Sequence, residues 1–164
     1  MSIYSADMNV NNQDEYANAM AQALRFLNYR FLSSYELRRK MQGKEYSDDV
    51  INRVENKLIE LQYLDDKRLS EDMARRLMHK QLYGRFYIEQ KLKLRGLDIP
   101  EILNTYNEIE AGFSMIEKKM PKKTVSDMMT TKKKISRLLA NRGFSSNTIA
   151  IICDKISASN EDDY

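Results

Sequence analysis

Basic side chains are concentrated in two runs of the sequence, and such runs could bind a negatively charged partner. The first run holds seven Lys and Arg residues between positions 75 and 95, with Glu89 as its one acid. The second holds nine between positions 118 and 142, with Asp127 as its one acid, although the whole chain has a formal net charge of only +3. Clustered cations attract nucleic acid or an acidic protein face. For either run alone, an ordinary solvated helix surface is the competing interpretation.

Residues that could catalyse a reaction are few. The one histidine, His79, lies among basic residues on a predicted helix, where a surface position is expected. The one cysteine, Cys153, lies between Ile152 and Asp154 on the last predicted helix and is predicted to fill the core. Asp65 and Asp66 are adjacent, so on a helix they would point apart, and a helix-capping role explains them. With no phosphate-binding loop, dinucleotide fingerprint or clustered metal ligands, we predict a protein that is not an enzyme and binds no cofactor or metal.

Composition limits the fold class and the compartment. Gly and Pro are scarce, at five and two residues, while 31% of residues are charged, which favours helices. A single cysteine excludes an intrachain disulfide framework and fits a reducing compartment. No apolar run approaches the length of a membrane span, and the first 15 residues do not resemble a signal peptide. A soluble, cytoplasmic monomer is expected, with no membrane partner.

A repeat with a period near 50 residues would position the basic side chains. Its copies begin at Ser33, Gly84 and Thr131, and apolar residues recur at the same offsets in each. The residues at plus four are Leu37, Ile88 and Ile135, and those at plus thirteen are Tyr46, Leu97 and Phe144, each followed by a helix-capping residue, namely Ser47, Asp98 and Ser145. Such units usually stack into an extended binding surface.

Helical periodicity gives nine predicted helices in three triplets. The first helix is predicted over Tyr16–Leu32, with Ala17 and Phe31 on its apolar face. In the less regular third copy, Pro121 stops one helix and the next starts near Ser126. The predicted divisions are a flexible N-terminal arm at 1–15, three-helix repeats at 16–62, 63–108 and 109–158, and an acidic tail at 159–164.

Tyrosines are frequent near the predicted helix junctions. Tyr29, Tyr46 and Tyr63 are predicted to pack against the core with their hydroxyl groups at its edge. A second group, Tyr35, Tyr83 and Tyr87, has basic neighbours and could stack on nucleic-acid bases or on a protein partner.

The motifs resemble those of a known family. The copies read Arg30-x-x-Ser33-x-x-Glu36-Leu37-x-x-Lys40-Met41, then Leu64-Asp65-Asp66-Lys67-Arg68 with Gly84-x-x-x-Ile88-x-x-x-Leu92-x-x-x-Gly96-Leu97, and finally Arg142-Gly143-Phe144-Ser145. Their order and spacing resemble the RecX family of bacterial regulatory proteins over roughly residues 17–157. The chain departs from the family pattern at Leu69-Ser70, where Phe-Ala is usual, and at Lys44-Glu45, where Lys-Gly is usual.

The resemblance implies an all-α fold of three tandem three-helix repeats in an elongated, curved helical array. It also implies a protein that binds the RecA recombinase filament on single- or double-stranded DNA and restrains ATP hydrolysis and strand exchange, in DNA repair, homologous recombination and the SOS response. Charge and position suggest a basic face for this partner. It would consist of Arg38, Arg39, Arg75, Arg76, Arg85, Lys91, Arg95, Lys132, Lys133, Lys134, Arg137 and Arg142.

Two other functions remain open on the sequence. Short helix pairs with basic residues allow a direct DNA-binding helix-turn-helix regulator, although no set of base-reading side chains stands out. A helical scaffold for an unrelated protein is the third interpretation.

Overall fold

The computed structural model describes residues 4–120 and 128–161, and this part of the chain contains helices and no strands. The prediction of an all-α fold is confirmed. The helices are α1 (Tyr4–Tyr29), α2 (Ser34–Gln42), α3 (Asp48–Glu60), α4 (Asp66–Lys80), α5 (Arg85–Lys93), a 3₁₀ helix (Glu101–Thr105), α6 (Glu108–Lys119), α7 (Met128–Ala140) and α8 (Ser146–Glu161).

Two compact units divide the chain. The first unit comprises Met1–Leu69 and Arg95–Asp98, and the second comprises Ser70–Leu94 and Ile99–Tyr164. The predicted division into three repeats at 62/63 and 108/109 stays a prediction.

In the first unit α1, α2 and α3 pack against one another around a fully buried core. Leu37 and Met41 lie four residues apart in α2 and therefore share one face, which meets Ile51 and Leu58 of α3. In α1 the small side chain Ala23 is fully buried, which allows the helices to approach closely.

In the second unit the same arrangement recurs with α6, α7 and α8. Ile135 and Leu139 of α7 are the equivalents of Leu37 and Met41, and both are buried. They pack with Met115 of α6 and Ile152 of α8. The apolar pattern shared by the copies is therefore the pattern of the core.

Four of the helix caps that the sequence predicts are confirmed, namely those at Ser33, Ser47, Asp65 and Ser145. Ser33 and Glu36 form a capping box at α2, in which the Ser33 hydroxyl accepts from the Glu36 amide at 3.1 Å and the Glu36 carboxylate accepts from the Ser33 amide at 3.1 Å. Ser47 caps α3 and Ser145 caps α8 through their hydroxyl groups. Asp65 accepts the amide of Arg68 at the start of α4.

The second helix of each copy ends in the same backbone conformation. Twelve residues after Ser33, Gly84 and Thr131, the φ angles are +63° at Glu45, +69° at Gly96 and +74° at Gly143. Glycine adopts this left-handed conformation without the penalty that a Cβ brings. Only the first copy carries a side chain at this position.

Three details of the prediction are corrected. Helix α1 starts at Tyr4, well before the predicted start at Tyr16, so most of the predicted arm is helical. Its buried face includes Ala19 and Ala23, whereas Ala17 is exposed and Phe31 lies beyond the helix.

The third correction concerns Asp98, which was predicted to cap an α-helix. The element that follows is only a short 3₁₀ helix, Glu101–Thr105, and its N-cap residue is Pro100 in an extended backbone conformation. The predictions for Pro121, Ser126 and the last acidic residues of the tail fall outside the described residues.

Candidate partner-binding surfaces

In the first unit, the start of α2 is held by a carboxylate between two arginines. The Glu36 carboxylate accepts from the Arg95 guanidinium at 2.7 and 3.0 Å and from Arg30 at 2.8 Å. Arg95 also donates to the carbonyl of Phe31 at 2.6 Å, and the Ser33 hydroxyl donates to the carbonyl of Arg95. These bonds fasten the turn that contains Arg95 to the α1–α2 turn.

The charged state of Glu36 is strongly favoured. Burial alone would raise the pKa of this carboxyl, but hydrogen bonds from Arg95, Arg30 and the Ser33 amide outweigh it and lower the pKa from 4.5 to about 2. The network is therefore ionic at neutral pH.

Three exposed aromatic residues are next to Arg30 or Glu36 of this network in the chain, and we call Tyr29, Phe31 and Tyr35 the aromatic tip. Their exposed fractions are 91%, 79% and 47%, respectively. The prediction that Tyr29 packs against the core is wrong, because α1 ends at this residue and its side chain is almost fully exposed. The Arg39 guanidinium lies 5.8 Å from the centre of the Tyr35 ring.

In the second unit, the start of α5 is held mainly by backbone contacts. The Gly84 amide donates to the carbonyl of Arg142 at 2.8 Å, and the Phe86 amide donates to the carbonyl of Gly143 at 3.1 Å. A Cβ at Gly84 would lie only 2.1 Å from the Gly143 oxygen, so glycine is required there.

A second carboxylate, Glu108, completes the junction around α5. It accepts the amide of Arg85 at 2.9 Å, the amide and hydroxyl of Ser145 at 3.2 and 2.8 Å, and the hydroxyl of Thr148 at 2.6 Å. Burial would raise the pKa of Glu108, but the bonds from Thr148, the Arg85 amide and Ser145 lower it overall.

Two stacked tyrosines beside this junction carry a cation at each side, and we call Arg142, Tyr83, Tyr87 and Lys91 the basic ladder. The two rings are parallel to within 6°, with their centres 4.2 Å apart. Arg142 lies 5.7 Å from the centre of Tyr83, and Lys91 lies 5.2 Å from that of Tyr87. Cation–π contacts hold both charges in place without neutralising them.

Helix α7 adds further positive charge to the second unit. Its buried residues Ile135 and Leu139 face the core, while Lys133, Lys134 and Arg137 are exposed. The spacing of these three residues places them on one side of the helix. We call them the α7 basic face, and the ladder residue Arg142 follows just after α7 ends.

Sequence similarity to known proteins identifies the family of this chain. A model described as the first three-helix domain of RecX matches residues 19–58. Regulatory protein RecX of Clostridium acetobutylicum is 30% identical over 158 residues, which cover 90% of this chain and 73% of that protein. The chain belongs to the RecX family. Regulatory protein RecX of Pelodictyon phaeoclathratiforme is 32% identical, with 77% of this chain and 81% of the relative covered.

The match with one solved RecX structure extends over most of the fold. The crystal structure of RecX from Lactobacillus salivarius superposes with a TM-score of 0.78 at 26% identity, covering 89% of this chain and 99% of that one. Some relatives are longer, since the chain spans only 59% of regulatory protein RecX from Bacillus cytotoxicus, at 24% identity.

The basic residues predicted for this RecX-family chain fall into both units. Arg38, Arg39 and Arg95 belong to the first unit and the other nine to the second. Arg38 is paired with Glu55, Arg85 with Glu89 at 2.7 Å, and Arg95 with Glu36. These three guanidinium groups therefore already have partners within the chain.

The remaining predicted residues are more accessible. Arg75 and Arg76 are exposed on α4, where Arg75 lies 3.8 Å from Glu71, and Lys132 is half-buried beside the α7 basic face. His79 is exposed and Cys153 is buried, as predicted.

Within residues 4–120 and 128–161, no group of acids, His and Cys could hold a metal ion, and no helix is long and apolar enough to cross a membrane. The homologues are named as regulatory proteins and not as enzymes.

The sequence interpretation missed part of both surfaces. Phe31 was assigned to the apolar face of α1, and Phe86, which is 61% exposed beside the ladder, was not singled out. A signal was present for Phe31, because it lies only two residues before the capping serine and therefore outside the preceding helix.

Proposed function

We propose that this chain is a non-enzymatic regulator that binds the RecA recombinase filament on DNA and restrains ATP hydrolysis and strand exchange. Such a regulator would act in the cytoplasm during DNA repair, homologous recombination and the SOS response. Membership of the RecX family supports the proposal, and so does the positive charge of the second unit.

The observation that carries the proposal is the α7 basic face together with the basic ladder. Lys133, Lys134 and Arg137 point away from the core, and Lys91 and Arg142 are held by tyrosine rings. A DNA-containing filament presents phosphate and acidic protein surface, both of which attract such cations. Arg75, Arg76 and Lys132 of the same unit would extend this contact, and Arg39 of the first unit would add a positive charge of its own. Arg38, Arg85 and Arg95 would serve chiefly to stabilise the fold.

RecA-driven ATP hydrolysis and strand exchange test the function directly. We expect the chain to inhibit both when it is added at a stoichiometric ratio to RecA. Unchanged rates at that ratio would contradict the proposal.

Charge reversal tests the surface. Replacing Lys133, Lys134 and Arg137 by Glu is expected to weaken filament binding and to reduce the slope of its salt dependence. The matched control replaces the exposed residues Arg25, Lys44 and Lys67 of the first unit by Glu, which changes the net charge equally. Equal losses in both variants would show that only total charge matters.

A regulator that binds DNA directly is the second candidate, because the basic ladder also suits a nucleic acid backbone. Binding to duplex DNA in the absence of RecA separates the two candidates. Tight, sequence-dependent binding would favour the DNA-binding regulator, and its absence together with filament inhibition would favour the RecA regulator. If the chain inhibits neither ATP hydrolysis nor strand exchange and does not bind duplex DNA, the remaining interpretation is a helical scaffold for an unrelated protein.

A further inference from the structure

The aromatic tip of the first unit is unusual for a protein surface. Phe31 and Tyr29 are 79% and 91% exposed, although each could bury a large apolar area. Contiguous exposed apolar side chains of this size mark interaction sites, and aromatic residues with arginine dominate the binding energy of protein interfaces. Only Arg30 separates the two rings in the chain.

The backbone beneath the tip is fixed. Arg95 donates to the Phe31 carbonyl and to the Glu36 carboxylate at once, which ties the segment between α1 and α2 to the first turn of α2. Gly96 lies against Tyr35, where an added Cβ would be 2.5 Å from the Tyr35 Cβ. Because the backbone is already held in place, less conformational entropy is lost when this surface binds a partner.

The charge around the tip selects the chemistry of its partner. Arg30 and Arg95 share the single carboxylate of Glu36, and Arg39 lies beside Tyr35. The surface around the tip therefore carries a net positive charge. Its complement is an apolar pocket with carboxylates at its rim. Nucleic acid fits less well, because Arg30 and Arg95 already donate to Glu36 and Arg39 lies over the Tyr35 ring, where a base would stack.

We propose that the aromatic tip inserts into an apolar, acid-rimmed pocket on the recombinase protein itself, a contact that needs no DNA. This inference rests on the proposed function, since it names a second surface for the same partner. The first unit would recognise protein through apolar side chains, while the second would recognise the filament through charge.

The test measures binding to RecA alone, to RecA on single-stranded DNA, and to single-stranded DNA alone, each at low and high salt. We expect Tyr29→Ala and Phe31→Ala each to weaken both RecA-containing complexes about tenfold. That factor should be the same at both salt concentrations, because dissolved ions do not screen apolar contacts. Binding of the variants to single-stranded DNA alone should equal that of the wild type. Because both side chains are exposed, the variants should keep the wild-type circular dichroism spectrum.

Tyr63→Ala is the matched control, because Tyr63 is a 56% exposed tyrosine on a different turn of the same unit. It should bind as the wild type does. An equal loss for Tyr63→Ala, or wild-type affinity for Phe31→Ala, would overturn the inference while filament inhibition still upheld the proposed function. A loss confined to DNA alone would make the tip a nucleic acid surface. A wild-type chain that binds neither RecA nor its filament would overturn both proposals.

Discussion

The starts of α2 and α5 occupy the same position in successive copies of the repeat but are stabilised differently. At Ser33 a hydroxyl, a carboxylate and two arginines form a network of side chains. At Gly84 the cap residue has no side chain to bond the helix, and the backbone of residues 142–144 lies directly against it. Equivalent junctions can therefore be built from side-chain chemistry or from close backbone packing.

One feature is common to both junctions. The amide of Ser34 donates to Asp66 at 2.9 Å, and the amide of the equivalent Arg85 donates to Glu108 at 2.9 Å. Asp66 is the first residue of α4 and Glu108 is the first residue of α6. A carboxylate in this place satisfies a helix amide that would otherwise lack a partner. The copies thus share this bond and differ in the remaining contacts.

The difference extends to the surfaces beside the junctions. Both arginines at Ser33 share the single carboxylate of Glu36, and the exposed side chains there include the aromatic residues Tyr29, Phe31 and Tyr35. At Gly84 the backbone makes the contact, so Arg142 and Lys91 remain available as charges beside the stacked tyrosines. The way in which each junction is held therefore determines which side chains can reach a partner.

The largest expected effect is that of Gly84→Ala. The added Cβ would lie 2.1 Å from the Gly143 oxygen and 2.2 Å from the Phe144 nitrogen, and backbone atoms cannot move aside cheaply. We expect the free energy of unfolding to fall by about 3 kcal/mol. Urea denaturation measures it.

Gly43→Ala is the control for this substitution, because the Cβ would meet its nearest atom at an ordinary 3.5 Å. We expect little change or a small stabilisation. Equal destabilisation by the two variants would mean that backbone packing is not what distinguishes the α5 junction.

Low pH should weaken the α2 junction. The pKa of Glu36 is about 2 in the folded chain against 4.5 ordinarily, so its stabilisation is complete above pH 4.5 and is lost as the pH falls towards 2. Allowing for partial exposure to solvent, the contribution is about 2 kcal/mol. The Glu36→Gln variant should lack this stabilisation at neutral pH, and its free energy of unfolding should change less between pH 4.5 and pH 2 than that of the wild type.

Denaturant titrations from neutral pH downwards would measure both curves. Glu108→Gln should flatten the curve in the same direction, since the pKa of Glu108 is also lowered. Parallel curves for wild type and Glu36→Gln would disprove the role assigned to the Arg95–Glu36–Arg30 network.

A smaller effect is expected from Ser33→Ala. It removes the cap on the Glu36 amide and leaves the partly buried Arg95 carbonyl without the Ser33 donor, at a cost of about 1.5 kcal/mol. Ser47→Ala is a suitable comparison, because its cap bond to Val50 is long at 3.4 Å. Thermal melting should show the larger loss for Ser33→Ala, and the reverse order would indicate that the hydroxyl is dispensable there.

The smallest effect has the opposite sign. Glu45 has a φ angle of +63°, where its copies Gly96 and Gly143 have glycine. Glu45→Gly relieves about 1 to 2 kcal/mol of strain but adds unfolded-state entropy, which leaves a gain of about 0.5 kcal/mol. Glu45→Ala keeps the Cβ and should give no gain, so equal melting temperatures for the two variants would refute the strain argument.

Local features of the fold were predictable from the sequence. The capping box spans only Ser33 to Glu36, and Leu37 and Met41 share a face through helix geometry alone. Such features depend on residues within a few positions of one another. For the same reason the left-handed turn at Gly96 and Gly143 could be expected from residue type.

The surfaces were less predictable, because they depend on distant contacts. Nothing local indicates that Arg95 binds Glu36, 59 residues away, or that Glu108 binds Thr148, 40 residues away. Arg95 therefore looked like a free cation in the sequence although its charge is used within the chain. Phe31 was misassigned because the end of α1 was placed a few residues too late.

The path of the chain through the first unit also affects its synthesis. Arg95–Asp98 completes this unit, yet it is separated from Leu69 by a segment that belongs to the second unit. A ribosome adds about 5 to 20 residues per second, so the nascent first unit waits about 1.5 to 6 s for its last segment. During that interval Glu36 has no Arg95, and the Ser33 hydroxyl has no carbonyl to bind. A protein truncated after Leu69 would remain permanently in that incomplete state.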